Sequence, residues 1–333
     1  MNSKSISLCM IVKNEEQNLE RCLKSAAGVV DEIVIVDTGS TDHTLQIARP
    51  FGAKILESPW QGDFALHRNQ SVEAASGDWI LWMDADEELA ADSGKIVREA
   101  ANQSGAQGLR LVVRNLQPEG ELCRYLDLHI TRMFRKNVNH RFEGRIHEQI
   151  TPSILRHGGQ VEDIDAIILH HGYASKTAQG NQVRYARNIA LIEEALSETP
   201  DDAYLLYQAG AAYKSAGDLA RAQQRLQKAA QQKQNADLGS EVRTDLFMKL
   251  AQIALSKDDY ADAAKYARIS LEAAPRNVIA RYVLALALLF NGKYGAAYQE
   301  FLRVKKWGAD ALGNPQELET VLAYCRKMMD SKN

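Results

Sequence analysis

Four acidic side chains within five residues, Asp84, Asp86, Glu87 and Glu88, follow directly on the apolar run 79–83 (WILWM). Large apolar residues in continuous sequence read as a buried strand, so the cluster lies at that strand's carboxyl end. Carboxylates crowded in this way repel one another, and outside a solvated helix face a bound cation is what stabilises them. Oxygen ligands select a hard ion such as Mg2+ or Mn2+, and a cation bridging an Asp-X-Asp pair to a diphosphate is the chemistry this pattern points to. The tripeptide alone also occurs in solvated acidic turns, so the elements around it must decide.

Those elements alternate between strand and helix. Residues 7–12 form a short apolar run, and Leu19, Cys22, Leu23 and Ala26 then fall on one face of a helix. Residues 33–36 (IVIV) are the continuous β-branched run of a parallel strand covered on both faces, ending at 37–42 (DTGSTD). Ser40 or Thr41 caps a second helix through Leu45, Ile47 and Ala48; residues 54–57 are a third strand and 64–75 a third helix. This order predicts an α/β, Rossmann-like domain with a mostly parallel sheet and ligands at the carboxyl ends of its strands. Segments 13–16, 37–42 and 84–88 would then face one crevice.

The first strand is followed by neither a Gly-rich dinucleotide fingerprint nor a P-loop, which removes the usual warrant for NAD or ATP. Asp37 reads either as an acceptor for a base or ribose or as a turn-forming residue beside Gly39. Arg68 pairs with the acidic strand end or a phosphate oxygen, or else forms a surface ion pair. Residues 109–114 and 129–134 read as strands, and Arg132, Arg135, Lys136, His140, Arg141 and Arg145 make that region basic, fit to neutralise a leaving diphosphate. A strand-like run 166–169 ends in His170 and His171, candidate cation ligands if they reach the acidic cluster.

The 333 residues favour two domains, and 45 % hydrophobic with 25 % charged residues is the composition of a globular protein. A formal charge of −3 argues against nucleic-acid binding through the whole surface. Cys9, Cys22, Cys123 and Cys325 are scattered, with no paired spacing, so a reducing cytoplasm is expected, with peripheral membrane attachment left open. The N-terminus lacks the apolar core of a signal peptide, and the run 278–290, thirteen residues including Arg281, is too short to span a bilayer; no transmembrane segment is expected.

From residue 181 onward Ala, Leu, Gln and Tyr recur at helical spacing. Ala209, Gly210, Tyr213, Gly217, Ala222, Leu226 and Ala229 match Leu250, Ala251, Ala254, Asp258, Ala263, Ala267 and Ser270 at an offset of 41 residues. That second set matches Leu284, Ala285, Leu288, Gly292, Ala297, Phe301 and Val304 at an offset of 34, the tetratricopeptide period. The seven extra residues of the first offset are assigned to the polar loop 231–240. Helix pairs of this kind offer a groove for a peptide or protein, or a surface for a homodimer. The expected domains are 1–178 and an all-α repeat domain, 179–333.

Taken together, residues 10–16 (MIVKNEE), 37–42 (DTGSTD), 63–69 (DFALHRN) and 77–87 (GDWILWMDADE) make the chain resemble family-2 glycosyltransferases of the GT-A fold. The later 144–148 (GRIHE) and 170–173 (HHGY) look like the subgroup in which this domain precedes tetratricopeptide repeats, a subgroup that includes transferases of bacteriocin peptides. The resemblance implies a nucleotide-sugar donor, usually a UDP-sugar, a divalent cation, and inversion at the anomeric carbon of a sugar passed to a peptide, protein, glycan or lipid-linked acceptor. By motif, Glu15 lines the nucleotide pocket, Asp37 binds the uracil or ribose, and Arg68 steadies the nucleotide or Asp84. Asp84 touches the ribose or the metal, Asp86 ligates the metal, and His170, in preference to His171, is a further ligand. Glu148 is the expected base, with Glu143 and Glu87 as alternatives, and Trp60 stacks on acceptor or sugar or packs as a lid. A non-catalytic repeat scaffold with a degenerate nucleotide-binding domain is the rival, against which the intact acidic, Arg68 and His-Glu elements count.

Overall fold

The computed structural model describes residues 3–117, 124–172, 178–232, 238–308, 312 and 314–331; Cys123, Tyr173 and residues 233–237 of the polar loop lie outside them. The chain divides into two compact units, Met1–Leu116 with Leu126–Ser175, and Gln117–Tyr125 with Lys176–Asn333.

The first unit is built on an eight-stranded sheet of order β3-β2-β1-β4-β7-β6-β8-β5. β1 (Ile6–Val12), β2 (Glu32–Asp37), β3 (Lys54–Glu57) and β4 (Trp79–Trp82) are parallel, so their carboxyl ends share one edge. β7 (Tyr125–Arg135) runs antiparallel to β4, whereas β6 (Gly108–Leu116) and β8 (Val161–His170) are parallel to each other. The alternation of side chains along each strand fills two cores. Ile6, Leu8 and Met10 of β1 and Trp79 and Leu81 of β4 pack with α1 (Leu19–Ala26) and α4 (Ser93–Gln103) on one face. Cys9, Val34, Ile80 and Trp82 pack with Phe134 and with α3 (Phe64–Ala74) on the other.

The short β5 (Glu87–Leu89) escapes the sequence pattern and shapes everything after it. It pairs antiparallel with β8, at the opposite side of β7, β6 and β8 from β4, yet only residues 83–86 separate it from β4. In a flat sheet four strand spacings would hold the two about 19 Å apart, while five extended steps reach about 18 Å at most. Residues 84–87 are moreover a tight turn, closed by the Glu87 amide donating to the Asp84 carbonyl at 3.1 Å. The sheet therefore curls, and the end of β8 returns over the end of β4.

Gly77, just before β4, is held where no side chain fits: a Cβ there would lie 2.8 Å from the Ser7 backbone nitrogen and 2.7 Å from Ser7 Oγ. Backbone cannot yield as a side chain can. Gly77→Ala is expected to cost about 1–3 kcal/mol by overpacking, read as a lowered denaturation midpoint of the first unit.

In the second unit the elements after Lys176 are, among the described residues, helices, from α6 (Ala178–Glu198) to α13 (Pro315–Asp330). Its repeat register is that of the sequence alignment. Gly217, Asp258 and Gly292, equivalent in the three repeats, all adopt left-handed backbone at φ 83°, 58° and 69°. Each follows the first helix of a pair, α7 (Ala203–Ser215), α9 (Gly239–Ser256) or α11 (Val278–Phe290). The aligned small positions are buried where the helices of a pair touch, and at Gly210 an added Cβ would meet Leu226 Cγ at 2.5 Å. The helical region fits tetratricopeptide repeats.

Candidate active site

The first two crevice segments are knitted together by hydrogen bonds. The Asn14 amide donates to Ser40 Oγ at 3.0 Å, the Thr41 amide to Asn14 Oδ1 at 2.8 Å, the Glu15 amide to Thr44 Oγ1 at 2.8 Å and the His43 amide to Glu16 Oε2 at 3.0 Å. Asn14 turns through left-handed backbone to do so (φ 56°). Glu15 is half-buried and its Oε2 accepts from Asn18 Nδ2 at 2.8 Å. Asp37, 3 % exposed, folds its carboxylate back onto the amides of Gly39 and Ser40 and onto Ser40 Oγ. Its visible contacts are thus those of a turn-forming residue, and the turn it holds borders the crevice beside β1.

Arg68 stands one turn into α3, whose first turn is capped by Asp63 Oδ1 accepting from the Leu66 amide at 2.9 Å. The guanidinium is 5 % exposed and forks between two carboxylates: Nη2 donates to Asp84 Oδ1 at 2.6 Å and Nε to Glu148 Oε1. Glu148 reaches it because its loop is closed and docked. Glu143 and Gln149 exchange both backbone hydrogen bonds at 3.0 Å, the Phe64 amide donates to the Arg145 carbonyl, and Asn69 brackets the Phe142 backbone with its donor and its acceptor. Within that loop burial drives the His147 imidazole down to about 4.

A second buried guanidinium, Arg132 of β7, donates through Nη2 to Glu87 Oε1 at 2.5 Å and lies 4.0 Å from Asp84 Oδ2. Arg68 and Arg132 both stack on the indole of Trp82, at 4.2 and 3.7 Å from the ring centroid. Burial alone would raise the Asp84 carboxyl, but Arg68 and then Arg132 outweigh it and hold it below the usual carboxylate range. At fully buried Glu87 desolvation wins against Arg132 and pushes the carboxyl up to about 7.

Four others of the basic region are engaged elsewhere. Arg135 packs on Trp79 and donates to the Ala106 and Ser104 carbonyls, Lys136 donates to the Ala75 carbonyl, and His140 is buried against the Arg135 carbonyl. Arg141 pairs with Glu73, and Arg145 is exposed. Arg135 and Lys136 tie a strand end to neighbouring backbone, Arg141 reaches α3, and Arg132 lies in the acidic cluster.

The curled sheet brings β8 to Asp86. Asp86 Oδ2 lies 3.5 Å from His170 Nε2, and the His171 amide donates to the Asp86 carbonyl at 3.0 Å. His171 turns instead to Glu88, with Nε2 3.1 Å from Oε2, so the two histidines face different carboxylates. Burial lowers the His170 imidazole, but Asp86, Glu87 and Asp84 outweigh it and the net shift is upward. Gly172 closes the turn against both groups: a Cβ there would strike the Asp86 carboxylate and come within 2.6 Å of His170 Nε2.

Asp86 and His170 suit a cation. Among the described residues no group of three or more His, Cys, Asp and Glu side chains forms a complete cage. Mg2+ is usually held by one or two carboxylates completed by substrate phosphate and water, and Asp86, with His170 beside it, would supply the carboxylate of such a set. The composition agrees: the carboxyl groups of Asp84, Asp86, Glu87 and Glu148 outnumber the two guanidiniums, although Glu87 is pushed toward its neutral form, and Nη1 of both arginines is buried without a hydrogen-bond partner.

Residues 7–156 match the model of glycosyl transferase family 2. The chain carries a family-2 glycosyltransferase domain. Over 235 residues it is 37 % identical to a TPR repeat-containing protein of Synechococcus elongatus, covering 68 % of this chain and 57 % of that one. It is 28 % identical over 206 residues to the SPbeta prophage-derived glycosyltransferase SunS of Bacillus subtilis, covering 61 % and 48 %. The chain thus spans about half the length of these relatives. The crystal structure of S. aureus TarS aligns over 91 % of this chain and 55 % of that one at a TM-score of 0.42 and 14 % identity, too loosely to inform the site. Among the described residues no helix is long and apolar enough to cross a membrane.

Proposed function

We propose that the protein transfers a sugar from a nucleotide-sugar donor, a UDP-sugar in the first instance, to a peptide or saccharide acceptor, with inversion and with the help of Mg2+ or Mn2+. The observation that carries this is the convergence of Asp86 and His170 beside the Arg68–Asp84–Glu148 fork, at the edge where three parallel strands end. Glu15 and the Asp37 turn border the base and ribose, Asp84 the ribose, and Arg68 steadies Asp84. Asp86 and His170 would hold the cation, which when bound stabilises the negative charge of the departing diphosphate. Glu148 accepts the acceptor's proton as its oxygen or sulfur attacks the anomeric carbon from the face opposite the diphosphate. The repeats favour a peptide or protein acceptor, since stacked helix pairs present extended concave surfaces.

The test is thermal denaturation of the full chain against a panel of nucleoside diphosphate sugars with and without Mn2+. At a hundredfold excess over Kd a true donor contributes about 2.7 kcal/mol, and a Mn2+-dependent rise in Tm is expected with UDP-sugars. Asp86→Ala is expected to abolish the Mn2+-dependent part. Absence of a shift with every donor would favour the scaffold instead.

A further inference from the structure

Asn115, the penultimate residue of β6, stands opposite His170 in the β6–β8 register and is 8 % exposed. Its side-chain nitrogen donates to the main-chain carbonyls of Val113 at 3.4 Å and Leu126 at 3.2 Å. A carbonyl can only accept, so those two contacts decide which end of the amide faces the backbone and turn Oδ1 toward the histidine. Oδ1 lies 2.7 Å from His170 Nδ1. An amide oxygen also only accepts, so Nδ1 carries the hydrogen. In the neutral ring the lone pair is then on Nε2, the atom 3.5 Å from Asp86 Oδ2.

The backbone of β6 and β7 thus selects the histidine's tautomer through one buried amide. We propose that Asn115 is a positioning residue that fixes His170 as the Nδ1–H tautomer, so that Nε2 and Asp86 present a preformed two-ligand edge to a divalent cation. The inference deepens the metal-dependent reading above and rests on it. A ring without this partner can exchange tautomers and rotate its lone pair away from Asp86, and each cation bound must then reorder it. Outer partners of metal-bound histidines act in this way, and their loss typically weakens metal binding about 10- to 100-fold. Asn115 touches neither cation nor substrate in this scheme and acts only through His170.

Two readouts on the full chain test it. One is Mn2+ binding in the presence of UDP, followed by the electron paramagnetic resonance of free Mn2+. The other is the 15N chemical shift of the His170 ring nitrogens without metal, at a pH high enough for the ring to be neutral, assigned with His170→Gln. Asn115→Leu is expected to weaken Mn2+ about 10- to 100-fold and to turn a single Nδ1–H tautomer into a mixture. Asn115→Asp keeps an oxygen that accepts from Nδ1 but turns its second oxygen, without a hydrogen, to the Val113 and Leu126 carbonyls, so it is expected to keep the Nδ1–H tautomer at lower stability and with a smaller Mn2+ loss than Asn115→Leu. A folded Asn115→Leu protein with unchanged Mn2+ affinity and tautomer would overturn the proposal, as would equal Mn2+ losses in the Leu and Asp variants. If wild-type protein binds no Mn2+, or Asp86→Ala binds it equally well, the metal-dependent reading fails and takes the cation-positioning role with it; the 15N shifts still show separately whether Asn115 sets the tautomer.

Discussion

Replacing Arg68 by methionine is expected to destabilise the first unit by about 3–5 kcal/mol, the usual cost of stranding one side of a buried ion pair. Methionine keeps an unbranched stem to pack on Trp82, so what the variant loses is chiefly charge and the two-way fork. The cost is uneven. The Asp84 side chain is 38 % exposed and can rehydrate, whereas that of Glu148 is 8 % exposed and carries most of the penalty. Arg68→Lys should not rescue it, because a single ammonium cannot hold Nε and Nη2 geometry toward two carboxylates at once. The measurement is denaturant unfolding followed by tryptophan fluorescence. Three of the four tryptophans, Trp60, Trp79 and Trp82, lie in the first unit, and Trp82 sits between the two guanidiniums. In the double variant Arg68→Met, Glu148→Gln part of the loss should return, since the stranded carboxylate is gone. A single variant within about 1 kcal/mol of wild type would show that the fork contributes little to the fold.

Much of this site is legible in the amino-acid sequence, for a physical reason. Parallel strands buried on both faces are written as continuous apolar runs, and polar residues at their ends have only one edge to share; residues 33–36 with Asp37, and residues 79–83 with Asp84, are of that kind. Helix pairs are equally plain, because close contact demands small residues at a fixed period, as at Gly210, Ala251 and Ala285. What the sequence hides depends on tertiary curvature. β5 is three residues long and two of them are glutamates, so nothing in its composition announces a strand, yet its pairing is what carries His170 to Asp86. Arg132 is visible in the sequence only as one of six basic residues; that it lies in the cluster follows from β7 pairing with β4 beside Trp82. Asn115 gives only a faint signal, a polar residue near the end of an alternating strand, because its meaning lies in a partner 55 residues away. Asp37 carries two meanings at the level of sequence, and the fold fills its carboxylate with turn hydrogen bonds.

Glu148→Gln is expected to lower turnover about 10²- to 10⁴-fold with donor affinity near that of wild type, the loss characteristic of a general base. Glutamine preserves volume and an oxygen able to accept from Arg68 Nε, so the docked loop should persist while the group that takes the proton is gone. The alternatives are separable by their surroundings. Glu87 is fully buried, accepts from the Asp84 amide at 2.8 Å and from Arg132, and is pushed up to about 7, so Glu87→Gln, which keeps an accepting oxygen, should change activity only in proportion to folded protein. Glu143 is 41 % exposed in its side chain and paired with Arg156, and Glu143→Gln should leave stability and activity nearly unchanged. Single-turnover rates at saturating donor, using the nucleotide sugar picked out by thermal denaturation, separate the proton-transfer step from binding and release. Wild-type rates in Glu148→Gln would remove Glu148 from the reaction. A rate lost in Glu143→Gln at full stability would move the base one strand-bridge away, to the other end of the same docked loop.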